Sequence, residues 1–357
     1  MKYLIVTQTY PPRTGGMQNV MNAISNKLAS LNETHVFPDH YFRSKDSSSK
    51  IYIHNNFVPK FIRPLIKKKL VRFVYDSEDV VICDSWKSLN AVPSKAKKII
   101  VFAHGQEFLS IKKKRKRIEN YLKNVSLIIC SSSYTSALIN DLNISKVPRI
   151  VIPPTYSLKA ISNTRNDILK NTDKVFLLTI CRLEERKGII PVLKSLSQMN
   201  NNKILKPFFW NICGEGLQAD EIKKCIKDLN LSKSVKLVGK VNTQEKETFL
   251  EKSDLFVMPS YKVKNSIEGF GISYVEAAAY GIPSIAGIEG GVKDAVLDAK
   301  TGWCVDPLDK LALTDTLKSA INNKKLRDKY GNNAQKTFLD YFLGEKVFRK
   351  FMDVISA

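Results

Sequence analysis

Cysteine is scarce and none is placed for bridging or for metal. Six are scattered over 357 residues, no Cys-x-x-Cys pair occurs, and four histidines add no zinc-type spacing. Cys83, Cys130 and Cys213 end apolar runs, so they read as reduced, buried small hydrophobes of a cytoplasmic protein. No apolar run approaches the ~20 residues a membrane span needs. The opening Met1-Lys2-Tyr3-Leu4-Ile5-Val6-Thr7 is too short for a signal peptide and reads as a buried first strand. The first glycine loop has no Gly-x-Gly-x-x-Gly, which argues against a dinucleotide fingerprint there. Acidic residues are also short in supply: 34 Asp and Glu stand against 57 Lys and Arg, a net +23. Residues 1–150 hold 25 basic and 10 acidic side chains, so this first part alone carries +15. That asymmetry calls for an anionic partner: lipid head groups, nucleic acid or a phosphorylated substrate.

What is present is a rhythm of short apolar strands and longer amphipathic segments. Tyr3–Thr7, Val80–Cys83, Ile99–Ala103 and Leu127–Ser131 are predicted strands, and Met17–Leu31 a helix. Pro153-Pro154 and the polar stretch Ser157–Asp173 read as a hinge. The rhythm restarts with strand Val175–Cys181 and runs to three helical segments, Lys310–Asn322, Lys325–Tyr341 and Gly344–Val354. At ~100–200 residues per domain, the chain is expected to form two doubly wound, Rossmann-like α/β domains facing a central cleft. The expected division is 1–156, 157–340, and a C-terminal segment 341–357 packing back on the first domain. Ligands in such sheets bind on the loops after the strands.

Four groups of residues sit on such loops. Gly15-Gly16 follows strand one and opens a helix, where bare N–H groups attract phosphate; taken alone it reads first as a simple strand–helix connection. Arg182-Leu183-Glu184-Glu185-Arg186-Lys187-Gly188 ends the first strand of the second half. Arg182 and Lys187 could neutralise a diphosphate, or the run could be a solvated loop. Glu268-Gly269-Phe270-Gly271-Ile272 leads into a helix that carries Glu276 beside Ile272, Val275 and Ala279. A carboxylate on an apolar face suits vicinal hydroxyls of a sugar or ribose, with a buried structural hydrogen bond as the alternative. Ala103-His104-Gly105-Gln106-Glu107 ends a strand of the first half, and His104 there is a candidate contact.

These motifs together resemble the retaining glycosyltransferases of the large group-one family (family four), with the two-domain GT-B fold. Arg182…Lys187-Gly188 followed by Glu268-x7-Glu276 is similar to the family's donor signature. Gly214-Glu215-Gly216, Val238-Gly239, Gly281-Ile282-Pro283, Gly290-Gly291 and Thr301-Gly302 follow in the family's order. Tyr10-Pro11-Pro12…Gly15-Gly16 with His104-Gly105-x-Glu107 is similar to the branch with phosphatidylinositol and polysaccharide mannosyltransferases. Two departures occur: Pro153-Pro154-Thr155-Tyr156 replaces the usual Asn-Gly-Val-Asp turn, and Lys293-Asp294 the usual Pro-Glu.

The resemblance implies a UDP-sugar or GDP-sugar donor. Its pyrophosphate would be held by Arg182 and Lys187, helped by the helix after Gly271 and the backbone at Gly15 and Gly16. Glu276 would hold the ribose; Glu268 with Gly269, Phe270 and Gly271 the sugar; Gly214, Val238 and Ile272 would complete the donor pocket. His104 would touch the sugar from the opposite domain, with Gln106 and Glu107 toward the acceptor. No cofactor and no metal are implied, and no Asp-x-Asp stands near these motifs. The acceptor would be a lipid-linked or cell-surface glycan precursor. Two basic runs fit docking on an anionic membrane surface: Lys67-Lys68-Lys69 among Leu65, Leu70 and Phe73, and Lys112-Lys113-Lys114-Arg115-Lys116-Arg117. That places the enzyme peripherally on the inner face of the cytoplasmic membrane. A small soluble acceptor is the alternative among enzymes. A nucleic-acid-binding α/β protein is the rival from another class; it would account for the charge but not for Glu276 or the Arg182/Lys187 pair, so no specific nucleic-acid partner is expected.

Overall fold

A computed structural model describes residues 1–13, 15–40, 50–54, 59, 61–109, 111–140, 142–144, 146–161, 173–201 and 204–356, without the side chains of 111–113, 200 and 201. The chain divides into two units, Met1–Ser157 with Gly344–Ala357, and Leu158–Leu343. Most of the polar stretch read as a hinge, 162–172, lies outside the described residues.

The first unit is built on β1 (Tyr3–Thr7), β2 (Thr34–Pro38), β3 (Ile51–Ile53), β4 (Val80–Cys83), β5 (Lys98–Ala103), β6 (Leu127–Cys130) and β7 (Arg149–Val151). All pair in parallel, in the order β3-β2-β1-β4-β5-β6-β7. Helices α1 (Gly16–Ala29), α2 (Arg63–Val74), α3 (Ile111–Leu122) and α4 (Ser133–Ile139) connect β1 to β2, β3 to β4, β5 to β6 and β6 to β7. Tyr3–Thr7 and Val80–Cys83 are buried along their whole length, as strands covered on both faces must be. Leu4, Val6, Val81, Val101 and Ile128 form the centre of this core.

The second unit repeats the plan with β8 (Val175–Ile180), β9 (Phe208–Cys213), β10 (Val235–Gly239), β11 (Leu255–Met258), β12 (Ser284–Ala286) and β13 (Gly302–Cys304). The order is β10-β9-β8-β11-β12-β13, again all parallel. Its helices are α5 (Ile189–Asn201), α6 (Ala219–Asp228), α7 (Thr243–Glu251), α8 (Ile272–Ala279), α9 (Val292–Ala295), α10 (Lys310–Asn322) and α11 (Lys324–Thr337). The last helix, α12 (Gly344–Ser356), belongs to the first unit. Val347, Phe351 and Ile355 recur every four residues on its buried side. Phe351 stacks at 6.0 Å on Phe102 and meets Tyr156 edge-on at 5.8 Å. These are two Rossmann-like sheets, the GT-B fold.

In each sheet the strand order reverses at one point, between β1 and β4 and between β8 and β11. Loops leaving adjacent strands there run to opposite faces of the sheet and leave a crevice, where doubly wound folds bind ligands. The loops carrying Gly15-Gly16 and Arg182…Lys187 follow β1 and β8.

Candidate functional site

In the second unit, β8 runs through Cys181 into the turn Arg182–Gly188. Leu183 is buried and pins the turn. Its N–H donates to the Glu215 carbonyl at 2.9 Å, and its own carbonyl accepts from the Gln218 N–H at 3.0 Å. Gly214 has φ +140°, and a Cβ there would lie 1.8 Å from the Cys181 carbonyl oxygen, so only glycine lets the loops after β8 and β9 close on each other. The Tyr261 N–H donates to the Arg186 carbonyl at 2.9 Å, tying the same turn to the loop after β11.

Five charges alternate along this turn and into the loop before α8. Arg182 Nη1 lies 3.1 Å from Glu184 Oε1. Arg186 Nε meets Glu184 Oε2 at 2.9 Å, and its Nη1 meets Glu268 Oε2 at 3.0 Å. Lys187 Nζ meets that same Glu268 oxygen at 2.5 Å. The Arg182 side chain is 72% exposed, whereas those of Arg186 and Lys187 are buried. Burial alone would raise the Glu268 carboxyl, but the Lys187 ammonium and the Arg186 guanidinium outweigh it and hold the pKa down to about 2, from 4.5. Both cations fall on Oε2, which leaves Oε1 as the edge on which hydroxyl groups can be received. The Gly291 N–H donates to the Glu268 carbonyl at 2.9 Å. At Gly290, φ is +74° and a Cβ would come within 2.3 Å of that carbonyl, so position 290 must be bare to seat Glu268.

A carboxyl whose folded pKa lies below its unfolded value adds stability that is present above the unfolded pKa and is lost as pH falls through the folded one. For Glu268 that window runs from about 4.5 down to about 2. Thermal unfolding followed from about pH 5 to pH 2 should show a decline that Glu268→Gln flattens. An unchanged acid slope in the variant would remove Glu268 as its source.

Glu268 is followed by Gly269, Phe270 and Gly271. Phe270 is buried against Phe342 at 5.9 Å, and Gly271 starts α8 with no side-chain cap on the first N–H groups. On α8, Tyr274 turns inward: its hydroxyl donates to the Met258 carbonyl at 2.5 Å and lies 3.2 Å from Ser260 Oγ. Glu276 lies on the half-buried side of the same helix. The sequence gives it no evident partner; the structure corrects this, because Lys246 Nζ from α7 meets its Oε1 at 2.7 Å. Val275 and Ala279, expected beside Glu276, point to the core, and Ile272 is half-buried. Gly214 and Val238 stand half-buried at the ends of β9 and β10. Burial pushes the Cys181 thiol up to about 11 although Lys187 is near, so at neutral pH it remains a thiol and no nucleophile.

The first unit assembles a second polar group at its own strand ends. Asp84, after β4, is fully buried. Its Oδ2 accepts from Thr7 Oγ1 at 2.9 Å and from the Gln8 N–H at 2.7 Å, and its Oδ1 from Ser88 Oγ at 2.6 Å. Its backbone carbonyl lies 3.0 Å from His104 Nε2. A carbonyl oxygen only accepts, so Nε2 carries the proton, and in the neutral ring Nδ1 offers the lone pair. Glu107 Oε1 accepts from the His104 N–H at 2.7 Å and closes the loop, while Gln106 is exposed. Gly15 and Gly16 are exposed at the start of α1; residue 14 lies outside the described residues.

The basic runs separate on folding. Lys67 was expected to face a membrane and does not: its side chain is 5% exposed, donates to the Thr7 carbonyl at 3.0 Å and pairs with Asp39 at 2.5 Å. The helical period explains the correction. Lys67 and Val71, four apart, share the inward side of α2, and Leu65, Lys69, Arg72 and Phe73 share the outward one. Lys68 is half-buried. On α3, Lys114, Arg115, Lys116 and Arg117 are exposed; Arg115 pairs with Glu119 at 2.9 Å, and Arg117 lies over Trp86 and Tyr121 at 5.9 and 5.8 Å. The side chains of Lys112 and Lys113 lie outside the described residues. Among the described residues no helix is long and apolar enough to cross a membrane.

Reasoning from sequence missed Arg186, Lys246 and Asp84. Arg186 stood in the same charged run, and its signal was the alternation of sign with Glu184. Lys246 is 30 residues from its partner, and no local pattern announces that pair.

Comparison with known proteins bears on the family and the fold. Residues 160–337 match the family described as "Glycosyl transferases group 1". The chain is 24% identical over 336 residues to the GDP-mannose-dependent alpha-(1-6)-phosphatidylinositol monomannoside mannosyltransferase of Mycolicibacterium smegmatis, covering 87% of each chain. It is 22% identical to the 2-deoxystreptamine N-acetyl-D-glucosaminyltransferase of Niallia circulans, over 67% of this chain and 64% of that one. Its fold matches the Anabaena protein Alr3699/HepE, solved in complex with UDP-glucose, with a TM-score of 0.77, 19% identity and coverage of 100% and 99%. The turn that carries Lys187, the half-buried Glu268 and the helix that carries Glu276 all lie inside the matched segment, and the chain belongs to the group 1 glycosyltransferases.

Proposed function

We propose that the protein is a retaining glycosyltransferase that moves a hexose or N-acetylhexosamine from a UDP-sugar or GDP-sugar to a hydroxyl of a lipid-linked or cell-surface glycan precursor. The observation that carries this reading is Glu268, half-buried, ionised and flanked by Lys187 at the carboxyl end of β8, with Glu276 eight residues further on α8. Lys187 and the exposed Arg182 take the diphosphate, and the uncapped start of α8 adds its N–H groups. Glu276 receives the two ribose hydroxyls, and Glu268 Oε1 receives hydroxyls of the sugar. The acceptor hydroxyl attacks from the face that the diphosphate leaves. The new glycosidic bond forms as the sugar–phosphate bond breaks, and the acceptor's proton passes to the departing phosphate oxygen. Rate then depends on stabilising the charge that grows on the leaving group, which the cations supply in place of a divalent metal. The names of the Mycolicibacterium and Niallia relatives and the UDP-glucose complex of the Anabaena protein support such a donor. A thermal-shift series is the direct test: UDP or GDP should raise the unfolding temperature, by mass action. Stabilisation by neither would contradict the reading.

The acceptor is proposed to be membrane-bound, at the inner face of the cytoplasmic membrane. Phe61, Leu65 and Phe73 are 79%, 65% and 89% exposed along α2 and the turn before it, with Lys69 and Arg72 among them. Large apolar groups interleaved with cations suit shallow burial in an anionic surface. Each cation there contributes about 1 kcal/mol. Sedimentation with anionic vesicles should carry the protein down at low salt, release it at high salt, and fail when Lys69, Arg72, Lys114 and Lys116 are changed to Gln. A small soluble acceptor is the second reading, favoured by the aminocyclitol named for the Niallia relative; indifference of the wild type to anionic vesicles would select it.

A further inference from the structure

Arg186 stands at the middle of the five alternating charges, with a carboxylate on each side and a cation beyond each carboxylate. Its side chain is 5% exposed. One edge of its guanidinium is held by Glu184 Oε2 at 2.9 Å and the other by Glu268 Oε2 at 3.0 Å, while its carbonyl accepts from the Tyr261 N–H at 2.9 Å. This fork is fixed on both sides. The two outer cations are held differently. Among the described residues, Arg182 has a carboxylate only in Glu184, and Lys187 only in Glu268. Each outer cation therefore shares its carboxylate with Arg186.

That arrangement has a consequence for binding an anion. A lysine ammonium on a flexible stem can turn from one partner to another; a forked guanidinium bound on two edges cannot. If Lys187 turns to a diphosphate, Glu268 stays behind in a site where an unpaired carboxylate is costly. Arg186 remains on it. The same holds at the other end, where Glu184 keeps Arg186 when Arg182 turns away. Without Arg186, each outer cation would be the sole counter-charge of its glutamate and would be held back from the ligand.

We propose that Arg186 is a positioning residue that keeps Glu268 and Glu184 neutralised while Lys187 and Arg182 are given up to the donor's diphosphate. The inference rests on the donor-site reading above. It assigns Arg186 an effect on diphosphate affinity without any contact to the diphosphate.

A double-mutant cycle read by calorimetry with UDP and with GDP tests it. Arg186→Met is expected to weaken binding of whichever diphosphate the wild type takes, by about tenfold or more, because Lys187 must stay with Glu268. In a background that carries both Glu184→Gln and Glu268→Gln neither outer cation is tethered, so the same Arg186→Met change is expected to alter affinity by less than about threefold. An equal loss in both backgrounds would mark Arg186 as a structural residue only, and no loss in either would show that Lys187 is free without it; both overturn the proposal. Should Arg186→Met fail to fold alone, Arg186→Lys takes its place in the cycle, since an ammonium cannot bridge both glutamates in that geometry. If the wild type binds neither UDP nor GDP, the donor-site reading itself fails, and this proposal with it. If it binds one of them and only the cycle shows no coupling, the donor site stands and the role of Arg186 is rejected.

Discussion

Lys187→Ala is expected to lower turnover by about two to three orders of magnitude, the scale seen when a donor aimed at developing charge is removed. Its ammonium is the cation nearest Glu268, at 2.5 Å, and the turn that carries it is pinned by Leu183 and by hydrogen bonds to the neighbouring loops. Removing the side chain leaves that scaffold in place, and Arg186 still neutralises Glu268. The fold should therefore survive. Arg182→Ala should bring a comparable fall with even less effect on unfolding temperature, because its side chain is 72% exposed and its ion pair with Glu184 adds little to stability. Initial rates and thermal unfolding on the same preparations separate the two effects. Near-normal rates in either variant would remove that residue from the leaving-group site.

Glu276→Ala is expected to weaken binding of the nucleoside diphosphate by about ten- to a hundredfold, the range for losing hydrogen bonds to a charged group. Lys246 bears on this expectation. By holding Oε1 at 2.7 Å it orients the carboxylate on a partly apolar helix side. It also means that the variant leaves an ammonium without its partner close to the nucleotide, so part of the loss can be offset by attraction to the phosphates. Glu268→Ala should show the opposite division, with transfer lost and diphosphate affinity largely kept. Calorimetry with UDP and GDP on both variants reads the contrast. Unchanged affinity in Glu276→Ala would reject the ribose assignment.

The central strands of both sheets were legible in the sequence because strands buried on two faces read as unbroken apolar runs: Tyr3–Thr7, Val80–Cys83 and Val175–Ile180 are of this kind. Several shorter or more polar strands were not. Ile51–Ile53, Arg149–Val151 and Gly302–Cys304 have three residues each, too few for any period, and Thr34–Pro38 contains His35 and Pro38. Helix α7 was also missed. It is polar but for Phe249 and Leu250 and owes its start to a capping box in which Asn242 and Glu245 bind each other's backbone N–H groups, a local signal rather than a periodic one.

At the site, the positions of the glycines and charges could be read from spacing along the chain, but not which charges would meet. Arg186 and Lys187 are neighbours with equal claims in sequence; the tight turn before Gly188 buries both and gives both to Glu268. Lys67 lost its place on the outer surface for the same kind of reason. Within a run of three lysines, the helical repeat turns one inward, where the Thr7 carbonyl and Asp39 receive it.

The anomeric configuration of the product tests the central claim most directly. A panel of α-linked UDP- and GDP-sugars, incubated with the protein in EDTA and followed by proton NMR, should show one donor consumed, its nucleoside diphosphate released, and the sugar appearing in α-linkage on an added acceptor or, more slowly, on water. Release of a β-linked product, or turnover that only magnesium or manganese restores, would contradict leaving-group stabilisation by Arg182 and Lys187 with attack from the departing side.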